Sequence, residues 1–306
     1  MSMNLVFTQI LVIFLYVITG FISGKAGLIN PDQRKYLTGL CTNLILPFTI
    51  FSASSQEISN KEIARLSIAL LAMFLLFGTT TVISLIYHRL RNSPLPVRAA
   101  VTSLVTYPNV TFLGLPLCYA LFGEIAILYN AVATVAFNVL FFSVQFSLFT
   151  GKKFIFKNLV TPPMISTAIL IIMLVFGLHL PDPLQTVASS VGSMITPMSL
   201  IIIGVMMSEH RLSAIFKEKR AYAVTAIRNL LIPAISLFLL TLIPADGMGR
   251  LCMLVYLSCP CATLSAIYAI QNDMEPELAA RSVLFSTLFF AVSLPLVIFA
   301  GQKMFL

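Results

Sequence analysis

The chain has 306 residues, of which 58% are hydrophobic and 10% are charged. A soluble domain has about 45–50% apolar and about 25% charged residues, and a folded surface in water needs polar cover that this chain cannot supply. The composition therefore excludes a soluble enzyme, a nucleic-acid-binding domain and a secreted disulfide scaffold. It predicts an all-α integral membrane protein in a lipid bilayer.

Apolar stretches of about 20 residues are long enough to cross the hydrocarbon core of a bilayer, and we predict ten such spans. They cover residues 4–23, 36–53, 65–87, 97–122, 125–149, 160–179, 185–207, 221–243, 249–270 and 278–300. The first has no Lys or Arg before it and is longer than the apolar core of a signal peptide, so we expect a permanent first helix. The short gaps leave no room for a soluble domain.

Basic residues are concentrated in alternate gaps. Of the 19 Lys and Arg residues, fourteen lie in or next to the gaps that follow the odd-numbered spans. Four lie on the opposite side of the membrane, and Arg228 lies inside a span. The fourteen are Lys25, Arg34, Lys35, Arg89, Arg91, Arg98, Lys152, Lys153, Lys157, Arg211, Lys217, Lys219, Arg220 and Arg281. The positive-inside rule then predicts a multi-pass protein of the cell membrane with both termini outside the cytoplasm.

The basic, turn-rich gap 150–163 divides the chain into two parts, 1–150 and 151–306, with five predicted spans each. An odd number of spans per part places the second part upside down relative to the first, as in the inverted repeats of secondary transporters. The fourth and ninth spans support this interpretation, because each has a proline in mid-span, then small residues, then an acidic turn. We therefore predict two inverted five-helix repeats.

The prolines of these two spans lie at matching depth. Pro108 and Pro260 each lie about 16 Å into their span, near the centre of a hydrocarbon core about 30 Å thick. A proline interrupts the helical hydrogen bonds, and the segment after each break starts with unpaired N–H groups and partial positive charge. If the two breaks cross at the midplane, they form an anion site. The alternative is a plain proline kink in each helix.

Side chains next to the breaks suit a carboxylate ligand. Asn109 and Thr111 follow the first break, and Thr263 and Ser265 follow the second, beyond Cys261. These uncharged groups can donate hydrogen bonds without bringing charge into the membrane. They are the first candidate substrate-binding residues.

Two polar residues in other spans are further candidates. Asn43 lies four residues before Pro47 in the rather polar second span, and Arg228 is the only formal charge well inside a span. A charge at this depth indicates function, here a contact with an anion on its path, unless its long side chain reaches the interface. Asn130, Asn138 and Gln145 fit hydrogen bonds between helices better than ligand contacts.

Residues for other chemistry are not apparent in the sequence. The five cysteines lie in apolar stretches without zinc-type spacing, and we interpret them as small core residues. No catalytic, metal-binding or phosphate-binding motif is present. We therefore expect no enzyme activity, no metal and no cofactor, and no nucleic acid as partner.

Four segments resemble the auxin efflux carrier family, the bacterial relatives of the plant PIN-formed transporters. The segments are NPDQRKYLTGLCTNLILPFTIFSA (Asn30–Ala53), YPNVTFLGLPL (Tyr107–Leu117), ITPMSLIIIGVMMS (Ile195–Ser208) and CPCATLSAIYAIQNDMEPELAARSVLFSTLFFAVSLPL (Cys259–Leu296). The resemblance implies ten helices in two inverted repeats, with a scaffold part and a transport part. It also implies a substrate site where the broken fourth and ninth helices cross, with Asn109 matching the family's asparagine.

The resemblance also bears on the substrate and the assembly. Cys261-Ala262-Thr263 stands where plant members have a Gln-Gly pair, which argues against an indole acid. Bacterial members of the family are associated with small carboxylates such as malonate or malate, so the resemblance implies a substrate of that class. A homodimer fits the resemblance.

The sequence therefore predicts a secondary carrier that moves a small organic anion by alternating access. One alternative is a sodium-coupled symporter of the bile-acid-transporter type, with backbone carbonyls near Pro108 and Pro260 holding the cation. The other is a membrane sensor without transport activity.

Overall fold

The computed structural model describes residues 3–56, 59–153, 159–209 and 218–306. Lys157, Arg211 and Lys217, which enter the prediction of orientation, lie outside the described residues.

The described residues up to the middle of the chain form helices, several of which change to π-helical geometry for one turn. They are α1 (Met3–Lys25), α2 (Pro31–Leu40), a π turn (Cys41–Ile45), α3 (Leu46–Ser52), α4 (Asn60–Leu90), α5 (Leu95–Thr106), a π turn (Val110–Gly114), α6 (Leu115–Phe122), α7 (Ile125–Leu140), a π turn (Phe141–Gln145) and α8 (Phe146–Thr150).

The second part of the chain continues in the same way. Its helices are α9 (Pro162–Val175), α10 (Asp182–Gly192), α11 (Ile195–Ser208), α12 (Lys219–Ala226), a π turn (Ile227–Leu231), α13 (Ile232–Leu239), α14 (Gly247–Ser258), α15 (Thr263–Gln271) and α16 (Pro276–Phe305).

Local sequence explains where several helices begin. At α2, the Asn30 side chain accepts a hydrogen bond from the Gln33 N–H, and the Gln33 side chain accepts one from the Asn30 N–H, both at 2.9 Å. This capping box satisfies two backbone donors, and Pro31 supplies a favourable first helical residue. Prolines likewise stand in the first turn of α5, α9 and α16.

Six continuous helical runs within the described ranges are long and apolar enough to cross a membrane. They are Pro31–Ser55, Lys61–Leu90, Ile125–Thr150, Asp182–Ser208, Lys219–Leu242 and Pro276–Phe305. Shorter apolar helices lie at Leu11–Lys25, Leu95–Thr106, Val110–Phe122, Pro162–Val175 and Gly247–Ser258. The prediction of an all-helical, multi-pass membrane protein agrees with this architecture.

Contacts between residues divide the chain into two compact units. The first unit comprises Met1–Leu66, Thr111–Ala131 and Val160–His210, and the second comprises Ser67–Val110, Val132–Leu159 and Arg211–Leu306. Each unit draws on both the first and the second part of the sequence.

The first unit has its own apolar core and a very close helix contact. The core contains Cys41, Ile45, Leu46, Leu115, Leu170 and Ile202 among its buried residues. Helices α1 and α11 touch through glycines, because a Cβ atom at Gly204 would collide with the backbone of Val17 and Phe21. The Thr49 hydroxyl fastens α3 to α10 by donating to the Gly192 carbonyl at 2.9 Å.

The second unit is organised around α16, which packs against α5, α12, α14 and α15. Outside the predicted spans, Arg220 joins the start of α12 to the loop before α16, through Glu275 at 2.8 Å and Glu218 at 3.0 Å. The hydrogen bond from Arg220 lowers the pKa of the Glu218 carboxyl.

Candidate functional site

The first interruption lies between α5 and the π turn that starts at Val110. The Tyr107 N–H still donates to the Ser103 carbonyl at 3.0 Å, but the backbone of Tyr107 is already extended (φ −97°, ψ 115°). Pro108 has no N–H to continue the ladder, and its ring disfavours a helical residue before it. The helix therefore ends at Thr106.

The second interruption repeats this design between α14 and α15. Cys259 leaves the helical conformation (φ −56°, ψ 148°) directly before Pro260, and Ala262 is extended as the N-cap of α15. In both places the residue before proline turns the chain out of its helix.

The two interrupted segments pair with each other inside the second unit. Pro108 and Cys261 form an isolated antiparallel β-bridge. The Asn109 N–H donates to the Pro260 carbonyl at 2.8 Å, and the Ala262 N–H donates to the Tyr107 carbonyl at 2.9 Å. Backbone groups that leave their helices therefore find partners across the crossing, which lipid could not provide.

Polar side chains surround this crossing. The Asn109 side chain is buried and donates to the Thr263 hydroxyl at 3.2 Å, and the Ser103 hydroxyl donates to the Ser265 hydroxyl at 2.7 Å. From α16, the Ser286 hydroxyl accepts the Cys261 N–H at 3.1 Å. Amide and hydroxyl donors thus lie where two helical segments begin, an arrangement that can bind a carboxylate.

The structure brings together those predicted site residues that belong to the second unit. Two other predicted residues, Thr111 and Asn43, belong to the first unit. Thr111 is half-buried in the π turn Val110–Gly114, and the segment that starts with it belongs to the first unit. Asn43 is exposed in the π turn Cys41–Ile45 of the first unit. Their roles as ligands stay predictions.

Arg228 lies behind the crossing and is fully buried, with 0% exposure. Its Nε donates to the Cys259 carbonyl at 2.9 Å, and its Nη2 donates to the Leu257 carbonyl. Its Nη1 donates to the carbonyls of Val105 and Thr106 at 3.0 and 3.1 Å. A side chain that reaches the interface is therefore not the arrangement found.

These four carbonyls lie at the C-terminal ends of α5 and α14, where helices have no intrahelical donors and carry partial negative charge. One guanidinium caps both ends and compensates both dipoles. The sequence placed Arg228 inside a span, yet this double capping was missed. One feature of the sequence could have indicated this capping. Arg228 lies deep in a span without any acidic residue at comparable depth, and a buried cation that has no carboxylate needs carbonyl acceptors.

An aromatic cluster packs on the crossing residues, and sequence reasoning did not identify it. The Tyr107 ring lies 5.2 Å from the rings of Phe137 and Phe141, and Tyr268 of α15 lies 5.4 Å from Phe141. Gln145, one turn beyond Phe141, donates to the Ala99 carbonyl of α5 at 2.6 Å. This bond between helices agrees with the interpretation of Gln145 as an interhelical hydrogen-bonding residue.

Four π turns within the described ranges contain polar residues that the sequence had singled out, namely Asn43, Thr111, Gln145 and Arg228. Single π turns inside α-helices are frequent at functional sites. At Arg228, the turn lies beside both helix ends that the guanidinium caps.

Comparison with known proteins identifies a family of membrane proteins that the whole chain resembles. Residues 5–153 and 143–298 match the family model described as "Membrane transport protein". An uncharacterized transporter of Methanocaldococcus jannaschii is 23% identical over 294 residues, which cover 92% of this chain and 94% of that protein. An uncharacterized transporter of Methanothermobacter thermautotrophicus is 23% identical over 295 residues, which cover 94% of this chain and 95% of that protein.

Proposed function

The chain belongs to the membrane transport protein family, the auxin efflux carrier type, and from this premise we propose that it is a secondary carrier for small organic anions. The transported ligand is a small carboxylate, and transport proceeds by alternating access. The observation that carries the proposal is the paired crossing of two interrupted helices, with a buried cation behind it.

The chemistry of the crossing supports an anionic ligand. The Asn109 amide and the Thr263 hydroxyl are neutral donors, and the starts of two helical segments add N–H groups and partial positive charge. Arg228 adds a full positive charge that no carboxylate neutralises by an ion pair among the described residues. In a low-dielectric interior this charge acts strongly on a nearby anion.

The proposal includes the architecture predicted from the sequence. The ten spans form two inverted five-helix repeats, 1–150 and 151–306, with the fourth and ninth helices broken at the midplane. Thr111, Ser265 and Asn43 contribute further polar contacts during the transport cycle, and a homodimer is the proposed assembly.

Sodium coupling through the backbone near the two prolines is the less favoured alternative. The Pro260 and Tyr107 carbonyls accept N–H groups across the crossing, and the Cys259 carbonyl accepts the Arg228 guanidinium. A sodium ion at these oxygens would also lie close to a fixed positive charge, which repels it.

Uptake of radiolabelled malonate or malate into proteoliposomes tests the proposal. We expect Asn109→Ala to lower uptake by about tenfold or more, because one hydrogen bond to a charged ligand is worth about 1.5–3 kcal/mol, which is roughly 10- to 150-fold. Asn272→Ala is the matched control, since it removes an asparagine of the same unit at the C-terminal end of α15, the end opposite Thr263.

Two results would contradict the assignment. Equal uptake by wild type and Asn109→Ala would remove the site from the crossing, and absence of uptake for every carboxylate tested would favour the sensor alternative. We also expect replacement of sodium by potassium to leave uptake unchanged, whereas a strict requirement for sodium would favour the symporter.

A further inference from the structure

A long apolar groove of about 480 Å³ lies on the second unit. Its walls are α4 and the run from α13 to Pro244, and they include Leu71, Ala72, Leu75, Ile232, Ile235 and Leu239. Leu71 and Leu75 are 61% and 60% exposed. Exposed leucines on helices that are apolar enough to span a membrane face lipid rather than water, so the groove is accessible from the bilayer.

The length of the groove corresponds to one leaflet. Along α4 its lining runs from Ile68 to Ile83, which is about 22 Å of helix. A bilayer is about 40–45 Å thick with its headgroups, so the groove is about as long as half of this thickness. Ile243 and Pro244 are the last lining residues of the run from α13 and mark one end. Thr106, two residues before the break at Pro108 that we predict near the midplane, lines the groove together with Arg228.

We call the end of the groove at Ile243 and Pro244 the groove mouth. Arg250 does not line the groove, but its side chain is hydrogen-bonded to the groove mouth. Arg250 donates from Nε and Nη2 to the Ile243 carbonyl at 3.1 and 2.8 Å. These bonds use two of its five N–H groups, and the side chain has no ion pair among the described residues. Guanidinium groups bind phosphate with two parallel hydrogen bonds.

We propose that this groove binds one acyl chain of a membrane phospholipid whose phosphate pairs with Arg250. Inside a bilayer an acyl chain gains no hydrophobic free energy by leaving other chains. Selective binding therefore requires the charged contact at the groove mouth together with close packing along the groove.

The deep part of the groove connects this lipid to the crossing. Thr106 lines the groove, and its buried hydroxyl has no hydrogen-bond partner among the residues that the structure describes. Arg228 lines the same region. A chain packed there keeps water from competing for the bonds between the guanidinium and the four carbonyls. The bound lipid thus stabilises the crossing by protecting the hydrogen bonds of Arg228.

The absence of tryptophan from the chain allows a direct test. Leu75→Trp places a single reporter in the groove wall, and Val292→Trp places the matched control on a lipid-facing residue of α16 that does not line the groove. The full-length protein in detergent micelles is titrated with phosphatidylglycerol that carries brominated acyl chains, which quench nearby tryptophan. Brominated diacylglycerol, which lacks the phosphate, is titrated in parallel.

We expect the Leu75→Trp reporter to be quenched by phosphatidylglycerol at about tenfold lower concentration than by diacylglycerol, because only the former offers a charge-assisted hydrogen bond. Adding Arg250→Gln removes this difference, whereas adding Arg250→Lys retains part of it. Lys303→Gln, which changes a basic residue outside the groove, leaves the difference intact. The Val292→Trp control shows no preference for either lipid.

Equal quenching by the two lipids in the Leu75→Trp protein would overturn the proposal. Preferential quenching that persists after Arg250→Gln would overturn it as well. Brominated oleate that quenches the groove reporter as strongly as phosphatidylglycerol would identify a free fatty acid as the occupant instead. None of these outcomes depends on transport, so the proposal can fail independently of the carrier function.

Discussion

Arg228 shows at the scale of one residue how the membrane interior tolerates a full charge. Its guanidinium is buried, and its hydrogen bonds go to backbone carbonyls at the ends of two helices. These carbonyls would be unsatisfied without it, at a cost of about 1–3 kcal/mol for each buried group. The residue and its acceptors therefore require each other.

Substitutions of Arg228 distinguish how much its charge and how much its size contribute to the stability of the protein. We expect Arg228→Met to destabilise the protein by about 3 kcal/mol or more, because it leaves four buried carbonyls without their donor at about 1–3 kcal/mol each, and to lower its melting temperature in detergent. The stability of Arg228→Lys should lie between that of wild type and that of Arg228→Met. An ammonium keeps the charge but cannot reach four acceptors as the planar guanidinium does.

Lys219→Met is the control for this series, because Lys219 is an exposed basic residue on the same helical run. A melting temperature for Arg228→Met equal to that of the control would contradict the double capping.

At the scale of elements, the two interrupted helices follow directly from proline chemistry. Pro108 and Pro260 predict where the helices end, and the residues before them are extended as expected. The hydrogen-bond partner of each freed backbone group cannot be predicted in this way, because it lies on a helix more than a hundred residues away in the chain. The bond from the Asn109 N–H to the Pro260 carbonyl is such a case.

The contact of α1 with α11 is the element-scale feature most sensitive to a single methyl group. A Cβ at Gly204 would meet the Val17 carbonyl, and backbone cannot move aside as a side chain can. We expect Gly204→Ala to destabilise the purified protein by about 1–3 kcal/mol, as overpacking does. Thermal unfolding in detergent measures this change.

Gly78→Ala is the matched control, because a Cβ at Gly78 has no neighbour within 4 Å. There the substitution should be neutral or stabilising by about 0.5–1 kcal/mol, since alanine favours the helix. A destabilisation of the same size at both positions would show that the close α1–α11 contact is not the cause of the effect at Gly204.

At the scale of the whole molecule, two divisions of the chain coexist. The sequence predicts two consecutive parts, 1–150 and 151–306, whereas contacts form two units that each combine pieces of both parts. The division into inverted repeats stays a prediction, and so does the orientation, which rests on the distribution of basic residues.

Cysteine labelling tests the orientation without removing native thiols, because all five cysteines are free and buried. We expect Lys303→Cys to react with a membrane-impermeant maleimide in intact cells, and Lys153→Cys to react only after the membrane is permeabilised. Unsubstituted protein, which should stay unlabelled, is the control. The reverse pattern would place both termini in the cytoplasm.

The sequence by itself determined the solvent of this protein, its helical architecture and the positions of the two proline breaks, because composition, apolar length and proline chemistry are local properties. It also identified Asn109, Thr263 and Arg228 as unusual residues. Only the tertiary structure decided that the breaks pair with each other, that Arg228 caps both helix ends and that a groove leads to its side. These features join residues far apart in the chain, and their partners are set by packing, which no local pattern encodes.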